Sequence, residues 1–295
     1  MDKVVIIIIS HKSELNIHEQ ISLRQCYKVL GSYPIKIICP YGLDVSGYKE
    51  FLPNPQFDFI DPVWQSTYEN FNRLKVEQFL YERYKKYQFI LFYEPDVFVF
   101  RNELEYWCNQ NLDYIGAPWF EDWNKSTAEN NIKGVGNGGF SLRNVSGILN
   151  QHKLLKRLKI IYKYENYDWK GLMLRTLRIF ADIVKYKSFE PVFELSNGQE
   201  DFFWCIDMPD LFEKYINNNS FVAKLFKLSP IQKLKIADIT TAMKFSMECQ
   251  PARLFAMNKN NLPFGCQAWP KYDIEFWKPF IISAGYDLPL NSKHK

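Results

Sequence analysis

Lys3-Val4-Val5-Ile6-Ile7-Ile8-Ile9-Ser10 is an unbroken apolar, β-branched run. Such a run has no polar face to turn to water, so it reads as a central strand of a parallel sheet covered on both sides. Its six residues from Val4 to Ile9 fall far short of the ~20 needed to span a bilayer. It also lacks the length and cleavage pattern of a signal peptide. Working outward, His18 to Leu30 has helical spacing, with Ile21, Cys26, Tyr27, Val29 and Leu30 on one broad face and Gly31 as a left-handed stop. Ile35 to Cys39 is a second short strand ended by Pro40. Strand, helix, strand in that order predicts right-handed crossovers and an α/β layering. A short strand at Phe57 to Ile60, a helix over Tyr68 to Arg83 and a buried strand at Phe89 to Tyr93 continue the pattern.

The 295 residues are 47% hydrophobic and 24% charged, which excludes general disorder and low-complexity classes. The net charge of +4 is too small for a dedicated nucleic-acid binder. Six dispersed cysteines without a Cys-x-x-Cys pair read as reduced core thiols of a cytoplasmic protein. Aromatic residues make up 17% of the chain, a surplus that suits either the core or a cleft for a ring-shaped ligand. The segment from Lys153 to Lys187 carries ten basic and three acidic residues among Leu, Ile, Tyr and Phe. It predicts a basic helical insertion over 150–190, serving either as surface helices covering the sheet or as a peripheral face for an anionic membrane.

Three stretches can carry chemistry. Glu94-Pro95-Asp96 places two carboxylates just past the carboxyl end of a buried strand, where open α/β sheets bind ligands. Hard cations such as magnesium or manganese take oxygen ligands there, often shared with a diphosphate. Gly136-Asn137-Gly138-Gly139 packs three glycines into four positions, which suits a tight turn or a ligand close to the main chain. Arg143 after it can donate two parallel hydrogen bonds to a diphosphate or form a surface ion pair. Glu200-Asp201 opens a helical stretch reaching Leu211 and offers a general base or simple helix-start charge.

The series EPDVF (94–98), DYIGAPW (113–119), GNGGFSLR (136–143), EDFFW (200–204) and PFG (263–265), in that order, resembles the bacterial and fungal family of domain of unknown function 5672. That family is itself similar to glycosyltransferases of the GT-A fold. The glycine-rich stretch and the following Glu-Asp are also similar to Fringe-like and core-1 galactosyltransferase-like enzymes. The resemblance runs from about residue 4 to 269. It implies a GT-A-like, Rossmann-like fold with a mostly parallel central sheet and flanking helices. The chain then reads as a single domain over 1–295, with a nucleotide-binding half at 1–100 and an acceptor-side half at 101–295.

The resemblance further implies a metal-dependent transferase using a nucleotide-sugar, UDP-linked, with a glycan or glycolipid hydroxyl as acceptor. Direct displacement by that hydroxyl would invert the anomeric centre, with retention as the alternative, since sequence does not show on which sugar face a carboxylate lies. Asp96 would ligate manganese or magnesium, and Glu94 would contact the ribose or a metal-bound water. Gly138 and Gly139 would shape the sugar pocket, Trp119 would stack on a sugar ring, and His11 would face the nucleotide base or ribose. Asp201 is the first choice of base and Glu200 the second. Relatives commonly carry a His shortly after Pro-Phe-Gly, and this chain has Gln267, a weaker ligand for a hard cation. That departure keeps a non-catalytic sugar- or nucleotide-binding module open as an alternative, beside a membrane-surface scaffold.

Overall fold

A computed structural model of the chain describes residues 2–121, 132–164, 171, 198–215 and 232–288. Eleven strands are described, in chain order: β1 (Asp2–Ile9), β2 (Ile35–Pro40), β3 (Phe57–Ile60), β4 (Tyr87–Tyr93), β5 (Phe98–Val99), β6 (Tyr114–Ile115), β7 (Pro118–Phe120), β8 (Ile132–Val135), β9 (Phe140–Asn144), β10 (Ser246–Met247) and β11 (Gly265–Cys266). Six of them form one sheet in the order β3-β2-β1-β4-β9-β6. β1 pairs parallel with β2 and β4, and β2 parallel with β3. β9 alone runs against its neighbours β4 and β6. The mixed α/β class with a mostly parallel central sheet, read from the sequence, is therefore present, and β1 lies inside it.

The alternation of β1 explains why it is apolar throughout. Val5, Ile7 and Ile9 join Ile90 and Phe92 in one core layer. Val4, Ile6 and Ile8 join Phe89, Leu91 and Tyr93 in the other. Helix α1 (Ile17–Leu30) covers the second layer with Leu23, Cys26 and Leu30. Asn16 caps it, accepting from the Glu19 N–H while the Glu19 side chain accepts from the Asn16 N–H. Gly31 closes the helix at φ −64°, in right-handed rather than left-handed backbone. Glycine is needed there because a Cβ would run into the Tyr27 carbonyl oxygen.

A short helix α2 (Ser46–Lys49) precedes β3. The single helix predicted over 68–83 is two helices, α3 (Tyr68–Leu74) and α4 (Gln78–Arg83). At the break the Lys75 carbonyl accepts from the Tyr81 hydroxyl (2.7 Å) and from Arg143 Nη1 (3.3 Å). The break turns Lys75 inward, leaving its side chain 4% exposed. Beyond α5 (Leu104–Cys108), α6 (Val145–Tyr164) leads into the predicted basic insertion; that segment's remaining residues, Gly171 apart, and most of the basic stretch at 221–236 lie outside the described residues. The helix predicted from Glu200 to Leu211 is interrupted by a π-helical turn at Phe203–Asp207.

A second, small sheet decides where the site sits. β11 pairs parallel with β10 and antiparallel with β5. The start of β5 and the ends of β10 and β11 therefore lie at one edge, and Asp96, Glu248 and Gln267 are gathered there from three distant stretches. Trp269, Trp277 and Ile281 pack behind this sheet in a third apolar cluster. Among the described residues no helix is long and apolar enough to cross a membrane. All six cysteines are free, five of them buried.

Candidate active site

Two adjoining pockets open at the carboxyl ends of β1 and β4. The first, about 180 Å³, is lined by Ser10, His11, Lys12, Glu19, Pro95 and Asp96 among others. The second, about 340 Å³, is walled by Asn72, Lys75, Asn137, Gly138, Gly139, Glu200, Asp201, Glu248 and Gln267 among others. Glu94 and Phe71 line both, so the two join at the end of β4. Their position agrees with the rule that open α/β sheets bind ligands beyond the carboxyl ends of their strands.

The floor of the second pocket is an ion network. Lys75 Nζ lies 2.6 Å from Glu94 Oε1 and 3.3 Å from Glu200 Oε1. Burial lowers the proton affinity of Lys75, yet Glu94 and Glu200 outweigh it and hold the ammonium at about 12. Arg143 Nη2 donates to Glu200 Oε1 at 2.9 Å. Its other nitrogens donate to Ser141 Oγ, the Tyr81 hydroxyl and the Lys75 carbonyl, and its plane lies between Phe92 and Tyr114. Gly138 and Gly139 leave room for this network, because a Cβ on the first would meet Glu200 Oε1 and one on the second Gln267 Nε2 and Glu94 Oε2, and those side chains would have to move.

Three carboxyls are not paired with a cation among the described residues. Burial, with Glu94 beside it, pushes Asp96 up to about 7, and its Oδ1 is a buried atom without a hydrogen-bond partner. Burial, then Glu200, pushes Asp201 up to about 7, while its Oδ1 accepts from the Phe202 N–H at 2.9 Å. Burial, then Asp96, Asp201 and Glu94, pushes Glu248 up to about 8. Glu248 Oε2 accepts from Asn137 Nδ2 at 2.7 Å.

Most of the residues singled out from the sequence meet here, but Arg143, Trp119, Glu200 and, as described below, Gln267 stand differently from the expectation. Arg143 is fully buried beneath the floor, with its donors committed to the protein, and does not face a diphosphate. Trp119 is 1% exposed and stacks on Phe202 at 4.9 Å between ring centroids, so that face is closed to a sugar. Glu200 is tied to two cations, which leaves Asp201 as the carboxylate of that pair free for proton transfer. His11 is exposed at the mouth of the first pocket.

Lys75, Asn137 and Glu248 are wall residues that the sequence reading did not assign. Lys75 looks like one of many helix-surface cations. A lone carboxylate between Met247 and Cys249 was the one available signal for Glu248.

A hard divalent cation fits the first pocket in part. The orphaned Asp96 Oδ1 supplies an uncommitted oxygen, and Glu94 lies beside it. Gln267 Oε1 instead accepts from the Phe140 N–H at 2.9 Å and is turned towards the β9 backbone. Among the described residues no three His, Cys, Asp or Glu side chains cluster as a metal site. Asp96 and Glu94 would thus hold a cation whose other ligands come from phosphate and water.

The family model described as protein of unknown function (DUF5672) matches residues 54–267. The chain belongs to this family. No curated protein matches the DUF5672 chain. Among solved structures it is similar to a glycosyltransferase involved in the glycosylation of the major capsid of PBCV-1, at 10% identity, over 95% of this chain and 99% of that one, with TM-score 0.43. It is similar to the galactosyltransferase LgtC in complex with donor and acceptor sugar analogues, at 11% identity, over 96% and 97%, with TM-score 0.44. It is also similar to mouse xyloside xylosyltransferase 1, at 11% identity, over 90% and 97%, with TM-score 0.40.

The raised carboxyls of this DUF5672 chain carry a stability consequence. The folded-state value of Glu248, about 8, lies above its ordinary 4.5. Its contribution is therefore fully present below about pH 4.5 and lost as pH rises through about 8. Glu248→Gln should gain ~3 kcal/mol over the native protein at about pH 8.5 and little at about pH 5. Thermal unfolding at both pH values checks this; an equal gain at both would rule out ionisation as its source.

Proposed function

We propose that this protein is a glycosyltransferase that moves a sugar from a nucleotide-sugar to a hydroxyl of a glycan or glycolipid. The observation that carries the reading is the pair of pockets meeting at Glu94, one holding the orphaned Asp96 oxygen and the other the raised Asp201 carboxyl. The first pocket takes the nucleotide diphosphate, with His11 towards the nucleoside and Asp96 and Glu94 towards a cation. The second takes the sugar, with Gly138 and Gly139 giving it room beside the main chain. A bound manganese or magnesium would offset charge developing on the leaving diphosphate. Asp201 takes the proton of the acceptor hydroxyl as its oxygen bonds to the anomeric carbon and the bond from that carbon to the diphosphate oxygen breaks. A value near 7 suits that role, since the carboxyl is partly ionised at neutral pH and basic enough to accept a proton.

In this reading the donor is UDP-linked and the displacement inverts the anomeric centre. Residues 1–100 supply the nucleotide side and residues 101–295 the acceptor side. The setting is cytoplasmic, which the free thiols support, with the basic segment from Lys153 to Lys187 resting on an anionic membrane face. Gln267 favours a second reading, a binding module without turnover, because its amide oxygen is already engaged by Phe140.

Calorimetric titration of UDP with manganese, and again with EDTA, tests the first step. The expected result is metal-dependent binding that Asp96→Ala abolishes. Equal binding by Asp96→Ala would remove the assignment of the first pocket. Silence with UDP, GDP and CDP, checked by thermal shift, would remove the reading itself.

A further inference from the structure

The second pocket carries an aromatic ring that the fold does not use, and the inference drawn from it rests on the transferase reading. Tyr68, the first residue of α3, lines that pocket together with Asp201 and is 71% exposed. Among the described residues neither its ring nor its hydroxyl has a partner. The other aromatic wall residues are engaged. Lys75 Nζ lies 4.5 Å from the centre of the Phe71 ring, and Lys271 Nζ 4.8 Å from that of Tyr272. Trp119 is closed by Phe202. Among the described residues, Tyr68 is therefore the open aromatic surface of this pocket.

Single exposed apolar side chains are ordinary on protein surfaces. Tyr68 differs in how its main chain is held. Thr67 caps α3, its Oγ1 accepting from the Asn70 N–H at 3.1 Å. Asn72 Nδ2 donates to the Tyr68 carbonyl at 2.8 Å, and Asn72 Oδ1 accepts from the Glu200 N–H at 3.3 Å. Asn72 is buried, so one amide ties the backbone of Tyr68 to the helical turn that carries Asp201. The backbone beneath the ring is fixed relative to Asp201, while the ring itself stands in water.

A ring so placed suits a partner with a flat apolar face. One side of a pyranose is a set of C–H groups with partial positive charge, and the face of an aromatic ring is its negative side. Stacking the two removes apolar area from water and leaves the sugar hydroxyls free to react. Tyrosine offers that area at the cost of ordering only two torsions. Glycerol and the side chains of serine and threonine have no such face. We infer that the acceptor is a pyranose ring, stacked through its C–H face on Tyr68 so that one of its hydroxyls reaches Asp201. Tyr68 is thus the platform of an acceptor subsite at the mouth of the second pocket.

The test is saturation-transfer NMR on the protein with UDP and manganese, using methyl glucosides, galactosides and mannosides, with glycerol and a serine- and threonine-containing peptide as alcohols without a ring. Irradiating the aromatic protons should reach the C–H protons of a pyranoside and leave glycerol and the peptide silent. Tyr68→Ala should weaken the affinity for the responding pyranoside about five- to tenfold, and Tyr68→Phe, which keeps the ring, should stay within about twofold. Tyr68→Ala should melt with the native protein, because a side chain this exposed adds little packing. Calorimetric titration of UDP on the same samples keeps the two readings apart. If UDP binds and no pyranoside responds, or glycerol or the peptide responds as strongly, the acceptor class is overturned and the transferase reading stands. Equal affinity in Tyr68→Ala overturns the role of Tyr68. A loss in Tyr68→Phe as large as that in Tyr68→Ala overturns stacking, since the hydroxyl would then make the contact. Absence of binding by every nucleotide overturns the transferase reading and the acceptor role with it.

Discussion

Arg143→Met should destabilise the protein by about 3–5 kcal/mol, the range for breaking a buried ion pair by removing one partner. Arg143 is fully buried and bonds Glu200, Ser141, Tyr81 and the carbonyls of Lys75 and Gly138. Methionine fills much of the space between Phe92 and Tyr114, so lost packing is the smaller part. The larger part is electrostatic, since Glu200 would keep only Lys75, at 3.3 Å, as its cation. Urea unfolding should show a lower midpoint with an unchanged slope. Arg143→Lys should recover only a fraction, because an ammonium cannot donate in the plane of directions that the guanidinium serves. A loss under about 1 kcal/mol for the methionine variant would mean that Glu200 is solvated or neutral, contrary to the network described.

Asp201→Asn should lower kcat by about 10²–10⁴-fold, the usual worth of a positioned general base, with little change in donor affinity. The substitution keeps the side chain's shape and its acceptor oxygen for the Phe202 N–H at 2.9 Å while removing the basic site. In the native protein the rate should rise with pH through about 7, as Asp201 loses its proton. That ascending limb should vanish in the variant. Pre-steady-state transfer from a radiolabelled donor measures both. Normal transfer by Asp201→Asn would move the base elsewhere in the pocket, and Glu248 is the carboxyl that remains.

The sheet was legible because its signals are local. An apolar run such as Val4 to Ile9 has to be covered on both faces, and two carboxylates after Tyr93 mark a strand end whatever the rest of the chain does. Local signals also give the wrong answer where distant groups intervene. Lys75 reads as a solvated helix cation, and it is buried because Glu94 and Glu200 arrive from other segments. Arg143 lies in a strand buried on both sides, where alternation cannot tell an inward from an outward position. Trp119 follows a recognisable motif, but its stacking partner Phe202 comes from a helix that the motif does not contain. Glu248 was hidden because β5, β10 and β11 are two residues each, too short for any period to show. The small sheet that gathers Asp96, Glu248 and Gln267 exists only as long-range pairing.

The break between α3 and α4 has a thermodynamic consequence. It delivers one ammonium to two carboxylates, Glu94 at the shared wall and Glu200 in the inner floor. Any ligand that alters the field at Glu94 therefore changes how firmly Lys75 is held against Glu200, and an occupant of the inner compartment acts back on Glu94 through the same side chain. Under the proposed function the two compartments are therefore expected to be linked, and linkage is reciprocal: whatever factor the first ligand applies to the affinity of the second, the second applies to the first.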